Sequence, residues 1–402
     1  MAEPRIVIPV VAGSSPVGHP TTQPFCFVAA VCDRRSLPPP RMTRDEKFML
    51  EAIRLARKGI GQTRPNPAVG CVIVKSGRII GQGWHRRAGL PHAEVEALKS
   101  LRKSAHARGA TAYVTLEPCS THGRTPPCTR ALIEAGVARV VIGTIDPNPK
   151  HCGRALKLLR KAGIKTKTNV LAAQCDAVNP EFNHAMRTGL PWVVAKCGMS
   201  LDGRLTRPPG EGQWITSPAA RRNAMKLRAD VDAILVGAAT VRADDPSLTL
   251  RGIKGEQPWR IVWAPRGSVP RRAKVFTDAH RNRTIVLHQH SLRAALRALA
   301  KRGVRSVLVE GGGHTLGTLF KESLANKAVF YVAPLLVGGS VASVAGADDI
   351  RRVEKSGSGV STLKAGRAPG LPRLPISLQG TTYARVGSCI RMEGKVAAEK
   401  VR

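Results

Sequence analysis

Apolar positions along the chain change period repeatedly, and each change marks an element. Phe48, Ala52, Ile53, Leu55 and Ala56 recur at helical spacing, with Thr43 placed to cap the helix. Segments 70–74 and 78–83 read as a hairpin turning at Ser76-Gly77. Helices are predicted over 93–101, 129–135 and 154–162, the last two stopped by Gly136 and Gly163. Strands are predicted over 111–116 and 137–143. Strands and helices in alternation predict a compact three-layer α/β unit.

A second α/β series follows. Its predicted strands are 192–196, 233–236, 260–263, 284–288, 306–310 and 329–336, and its helices 219–228, 292–301 and about 315–324. Gly311-Gly312-Gly313 lies between a strand and a helix. Residues 337–374 are rich in Gly, Ser and Arg and are expected to be loops; two short strands near Ser377 and Ile390 would close the sheet. Residues 1–41 show no helical period and end in Pro38-Pro39-Pro40-Arg41. They are expected to be a disordered extension, or the product of an upstream start. The expected organisation is this extension, a first domain over 42–187 and a second over 188–402.

Composition narrows the classes. The chain has 402 residues, of which 43% are hydrophobic, enough to bury cores and argue against wholesale disorder. No apolar run approaches the ~18 residues of a membrane helix. With 64 Lys+Arg against 27 Asp+Glu, the formal charge is +37, which first suggests nucleic acid. Basic residues nevertheless recur along nearly the whole chain, and aromatics for base stacking make up only 4%. Nucleic acid is therefore expected only as a non-specific, salt-sensitive partner. Nine scattered cysteines, an odd number, point to a reducing cytoplasm and to metal or catalytic use where they cluster.

They cluster with His92-Ala93-Glu94, Pro118-Cys119 and Pro127-Cys128. One imidazole and two thiolates give Zn2+ three ligands and leave a fourth position open, the pattern of a catalytic site. Bound zinc supplies hydroxide near neutral pH. Glu94, two residues past the ligand His92, is placed to move a proton from water to a leaving amine. Cys128 begins a predicted helix, whose N-terminus favours thiolate. His-x-Glu followed by Pro-Cys and Cys is the signature of zinc deaminases acting on a base or aminopyrimidine. Nucleic-acid deaminases carry Cys-x-x-Cys; the longer segment from Cys119 to Cys128 suits a larger small-molecule substrate.

The whole set of motifs resembles the bifunctional deaminase–reductases of riboflavin biosynthesis. The first half carries Thr63-Arg-Pro-Asn-Pro-Ala-Val-Gly-Cys71, His92-Ala-Glu94, Thr115-Leu-Glu-Pro-Cys119 and Asp146-Pro-Asn-Pro149. The second carries Met199-Ser-Leu-Asp-Gly-Arg204, Gly212-Gln-Trp-Ile-Thr-Ser217, Thr240-Val-Arg-Ala-Asp-Asp-Pro246 and Val309-Glu-Gly-Gly-Gly313. The resemblance implies a cytidine-deaminase-like three-layer α/β domain followed by a dihydrofolate-reductase-like α/β domain. It implies hydrolytic deamination of 2,5-diamino-6-ribosylamino-4(3H)-pyrimidinone 5′-phosphate. NADPH-dependent reduction of the ribosyl group to ribityl would follow, in a homodimer.

Carried over by position, it implies cofactor contacts at Gly198, Trp214, Thr240, Asp244, Gly312, Gly313, His314, Thr315, Leu316, Gly317 and Thr318. Substrate contacts are implied at Asn66, Gly212, Arg228, Leu248, Arg251 and Glu310, the two arginines suiting a phosphate. Ala264, Asn326-Lys327 and Cys389 stand where acidic residues are usual, and Thr121 where His is usual. Two other readings stay open at this level: a deaminase with a weak or structural second domain, and an RNA-editing deaminase.

Overall fold

The computed structural model describes residues 42–102, 106–122, 126–149, 151–207, 214–253, 255–338, 342–344 and 376–398. The expected extension, most of the expected loop region 337–374 and Gly212 lie outside the described residues.

Helix α1 (Arg44–Arg57) starts in a capping box: Thr43 Oγ1 accepts the Glu46 N–H, and Glu46 Oε2 accepts the Thr43 N–H at 2.7 Å. Then follow β1 (Gly70–Lys75), β2 (Arg78–Trp84), α2 (Ala93–Lys99), β3 (Thr111–Leu116), α3 (Cys128–Glu134), β4 (Arg139–Thr144), α4 (Arg154–Lys161) and β5 (Lys165–Lys167). The five strands order as β2-β1-β3-β4-β5, with β3, β4 and β5 parallel and the β1–β2 hairpin antiparallel.

Residues of α1 cover one face: Met49, Ala52 and Ile53 pack with Val72, Tyr113 and Val141. Residues of α2, α3 and α4 cover the other: Ala93, Ala97, Leu132 and Leu159 pack with Ile73, Val114 and Ile142. Helix and sheet backbones come close at two glycines. A Cβ on Gly70 would lie 2.0 Å from the Ala52 carbonyl oxygen, and one on Gly83 would lie 2.4 Å from the Ala97 nitrogen. Any side chain at Gly83 would push away α2, the helix that His92 and Glu94 open. Asp45 ties the start of α1 to the sheet: its carboxylate accepts from Arg139 at 2.9 and 2.8 Å, Lys167 at 2.7 Å and Tyr113 at 3.0 Å.

Short helices α5 (Ala172–Asp176) and α6 (Pro180–Thr188) lead to the second sheet. Its elements are β6 (Trp192–Ser200), α7 (Pro218–Ala229), β7 (Ala233–Gly237), α8 (Ala238–Asp244), β8 (Trp259–Trp263) and α9 (Lys274–Thr277). They continue with β9 (Thr284–Leu287), α10 (Leu292–Lys301), β10 (Ser306–Val309), α11 (Gly313–Lys321), β11 (Lys327–Ala333), β12 (Ile376–Val386) and β13 (Cys389–Ala398). The order is β12-β13-β11-β6-β10-β7-β8-β9, parallel from β11 to β9. Leu296, Leu299, Leu316 and Leu319 of α10 and α11 cover one face; Ala220, Ala224 and Val275 of α7 and α9 lie in the cluster on the other. Strand β7 is buried along its whole length, as a strand between two helical layers must be.

Three expectations are corrected. The strands near Ser377 and Ile390 are long, with 11 and 10 residues, and form an antiparallel hairpin at the sheet edge. Solvent wets much of β12, so no apolar alternation announces its length. Helix α11 begins at Gly313 rather than near Thr315, and it ends at Lys321 because Ser323 turns left-handed at φ 51°. Strand β6 runs on to Ser200 because β11 pairs with it as far as that residue.

Candidate active sites

The first site forms where β2, α2, the end of β3 and α3 meet. His92 is the N-cap of α2 but caps nothing with its side chain, which stays available as a ligand. Its Nδ1 lies 3.5 Å from Cys119 Sγ and 3.3 Å from Cys128 Sγ. The three ligand atoms fall within 4.8 Å of one another. Tetrahedral bonds of about 2.3 Å to sulfur and 2.0–2.1 Å to nitrogen need N···S separations of about 3.6 Å. His92, Cys119 and Cys128 therefore fit zinc as they stand.

Electrostatics agree with the geometry. Cys119 is held as thiolate, at about 4, by hydrogen bonds from Cys128 and His92, against the opposing effect of burial. Part of that hold is the backbone N–H of Cys128, the first residue of α3, which donates to Cys119 Sγ at 3.2 Å. The Cys128 thiol is pushed up, because the pair carries one negative charge and Cys119 holds it. A dication would remove the second proton. Glu94 is 3% exposed, and burial together with the Cys119 thiolate pushes its carboxyl up to about 7. A carboxyl that titrates near neutrality can both take and give a proton there.

Two neighbours were not foreseen from sequence. His85 Nδ1 faces the Pro91 carbonyl at 3.1 Å, so Nδ1 carries the hydrogen and Nε2 accepts from Asn66 Nδ2 at 3.2 Å. This arrangement leaves the Asn66 carbonyl oxygen as the group offered to a ligand. The His85 ring stacks edge-on to His92 with centroids 5.0 Å apart. Glu117, 4% exposed, accepts the N–H groups of Asp146, Gly153 and Ala155 at 3.2, 2.9 and 3.0 Å. It thereby pins the Asp146-Pro-Asn-Pro149 loop and the start of α4 beside the Pro118-Cys119 ligand turn. Its place in Thr115-Leu-Glu-Pro-Cys119 was the available signal.

The second site lies at the carboxyl ends of β7 and β10, adjacent parallel strands, where open α/β sheets bind ligands. Gly312 caps α11 with no side chain over the helix end, and its N–H donates to Thr240 Oγ1 at 3.2 Å. A Cβ on Gly311 would lie 2.5 Å from Thr315 Cβ, and one on Gly237 would lie 2.6 Å from Thr315 Oγ1. Gly311 thus permits the tight approach that seats Gly312, Gly313, His314 and Thr315, and a side chain at Gly237 would displace the Thr315 hydroxyl. Buried His314 Nδ1 has no hydrogen-bond partner. A bare helix end and an unsatisfied polar atom fit a phosphate-bearing dinucleotide. Leu316, Gly317 and Thr318 lie further along α11, where Leu316 and Gly317 are buried; Gly198 lies in β6 beside Thr216.

Arg228 and Glu310 meet in a buried bidentate pair, 2.8 and 2.9 Å, with Lys196 4.0 Å from the same carboxylate. Burial alone would raise Glu310; the charges of Arg228 and Lys196 hold it at about 2. Arg228 also donates to the Thr249 carbonyl at 2.9 Å. Two residues expected to touch substrate therefore bind each other first. Leu248 is 2% exposed; Arg251 and Asp244 are exposed. Trp214 is half-exposed, with the Arg221 guanidinium 4.6 Å over its ring.

Residues that depart from the family pattern are absorbed by their surroundings. Lys327 pairs with Glu393 at 2.8 Å; buried Cys389 Sγ accepts the Ser217 N–H at 3.4 Å; Ala264 is buried without charge.

Comparison with known proteins agrees with both halves. Residues 42–144 match the cytidine and deoxycytidylate deaminase zinc-binding region, and residues 191–361 match the RibD C-terminal domain. The riboflavin biosynthesis protein RibD of Escherichia coli is 41% identical over 329 residues, covering 73% of this chain and 89% of that protein. Its counterpart in Aquifex aeolicus is 38% identical, covering 78% and 92%. The solved structure of Acinetobacter baumannii RibD, form 1, superposes with a TM-score of 0.72 at 34% identity, covering 88% of this chain and 99% of that one. A Thermotoga maritima deaminase/reductase gives a TM-score of 0.68 at 32% identity, covering the same 88% and 99%. With two domain matches in order and relatives this similar over most of their length, the chain belongs to the RibD family of bifunctional riboflavin-biosynthesis deaminase–reductases.

Proposed function

We propose that the first site removes the 2-amino group of 2,5-diamino-6-ribosylamino-4(3H)-pyrimidinone 5′-phosphate by hydrolysis. In the second site the deaminated product's ribosyl group is reduced to ribityl with NADPH. The observation that carries the first half is the converging triad of His92, Cys119 and Cys128 beside the buried Glu94. Zinc held by that triad supplies Lewis acidity and so makes water reactive at neutral pH. Glu94 Oε takes a proton from the attacking water and gives it to the departing amine. Asn66, oriented by His85, offers its carbonyl to the pyrimidine ring edge.

For the reductase, the α11 N-terminus and Thr240 hold the cofactor phosphates, and Arg251 holds the substrate phosphate. NADPH supplies hydride; the protein supplies orientation and charge. The chain is proposed to act as a cytoplasmic homodimer. No helix among the described residues is long and apolar enough to cross a membrane. The test is metal analysis with chelation: one zinc per chain, whose removal stops deamination and leaves reduction of the pre-deaminated substrate intact. Reduction that fails equally on chelation would contradict the assignment of zinc to the first site alone.

A further inference from the structure

Arg260 is 1% exposed, deep in β8, and its guanidinium spends its hydrogens on four acceptors. Nε donates to Thr284 Oγ1 at 3.0 Å, Nη2 to the Val275 carbonyl at 2.7 Å, and Nη1 to Asp278 Oδ2 at 2.6 Å and the Ser247 carbonyl at 2.9 Å. An arginine this buried is costly unless its geometry is complete. Its planar fork reaches β9, α9 and the loop after α8 at once, which a lysine cannot do.

That loop needs holding. Asp245 and Leu248 sit at φ 40° and 52°, in the left-handed region that a bulky leucine avoids. Leu248 lies between two gripped carbonyls. Arg260 holds Ser247 from β8, and Arg228, itself clamped by Glu310, holds Thr249 from α7 at 2.9 Å. Asp245 Oδ1 accepts the Lys274 N–H at 2.7 Å, and Gln257 Oε1 accepts the Leu250 N–H at 2.9 Å. The backbone shape of 245–250 is thus imposed from outside. The residue it delivers is Arg251, which lines a depression of ≈ 260 Å³ with Arg221, Arg222 and Trp214.

We infer that Arg260 is a positioning residue for reductase substrate binding: by gripping the Ser247 carbonyl it fixes the strained loop that presents Arg251 to a phosphorylated ligand. This rests on the proposal that the second domain reduces a phosphorylated substrate. The experiment uses the full chain carrying Arg260→Gln or Arg260→Lys, with the deaminase of the same chain as the control for folding. Losing a charged hydrogen bond to the loop is expected to raise the reductase KM for the deaminated phosphate by about tenfold or more in Arg260→Gln. Lysine keeps the charge near Asp278 but not the fork, and it should restore only part of the loss.

NADPH affinity, read by nucleotide fluorescence without turnover, and deaminase kcat/KM should stay at wild-type values. Hydrogen exchange should quicken at Leu248–Leu250 ahead of the neighbouring strands. Should Arg260→Gln fail to fold, Asp278→Asn, which removes only the charge of a partner that is partly exposed, must raise KM in the same direction. An unchanged KM, or a parallel loss of NADPH affinity, overturns the inference. If the wild-type chain itself oxidises no NADPH, the functional proposal fails instead; the exchange result still decides whether Arg260 holds the loop.

Discussion

In the first domain the chemistry-bearing atoms come from neighbouring stretches of chain: His92 and Cys128 are 36 positions apart, and Glu94 follows on the same helix. In the second, Arg228 and Glu310 are 82 positions apart, and the loop they stabilise also depends on Arg260 from a third element. The first site is specified by residue types whose ligand chemistry is unusual anywhere. The second is specified by backbone shape, close approach at Gly237 and Gly311, and buried charge pairs that could serve structure in any fold. Both sites depend on the groups around them, but the reductase site depends on many contacts that resemble ordinary packing.

The largest effect expected from this contrast is local. Glu94→Gln removes the proton carrier but no ligand, so it should retain zinc and lower deamination by about 10²–10⁴-fold. Reduction of the pre-deaminated compound should be untouched; a matching fall in NADPH oxidation with that compound would show that the two sites are coupled.

Breaking the second site should spread further. Glu310→Gln leaves Arg228 as a buried, uncompensated cation, and loss of such a partner costs about 3–5 kcal/mol. The expected outcome is lost reductase activity and a lower melting transition for that domain, with deaminase activity retained below it. Calorimetry of the variant checks both halves.

Acid should have the smallest and most graded effect. Glu310, held at about 2 against an ordinary 4.5, contributes stability that is complete above 4.5 and lost as pH falls toward 2. Asp45 is held still lower, first by Arg139 and then by Lys167 and Tyr113, so its contribution fades in the same direction. Asp45→Asn and Glu310→Gln should each flatten the acid limb of stability against pH. An unchanged limb in both would remove these carboxylates from the account.

How much was legible follows from the same contrast. The convergence of His92, Cys119 and Cys128 and most strands of both sheets announce themselves through residue type or period. Helices α5 and α9 have five and four residues, too few to show a period. Strand β12 lies at an edge, where polar and apolar residues face water alike. His85 and Glu117 act through hydrogen bonds to backbone and to another side chain, which spacing does not encode. Arg228 was expected to meet phosphate, yet its strongest partner is Glu310, another residue expected to meet substrate. Of the basic residues behind the formal charge of +37, Arg221, Arg222 and Arg251 line the depression in the second domain. Lys327 pairs with Glu393, which Arg391 also reaches at 2.6 Å.

The central claim is that one chain carries two successive and separable activities. Product analysis tests it most directly, with the purified chain, zinc and the diaminopyrimidine ribosyl phosphate, first without and then with NADPH. The deaminated ribosyl compound should accumulate without NADPH and become the ribityl compound, with stoichiometric NADPH oxidation, once NADPH is added. Accumulation of the deaminated compound with no NADPH consumed would contradict that claim.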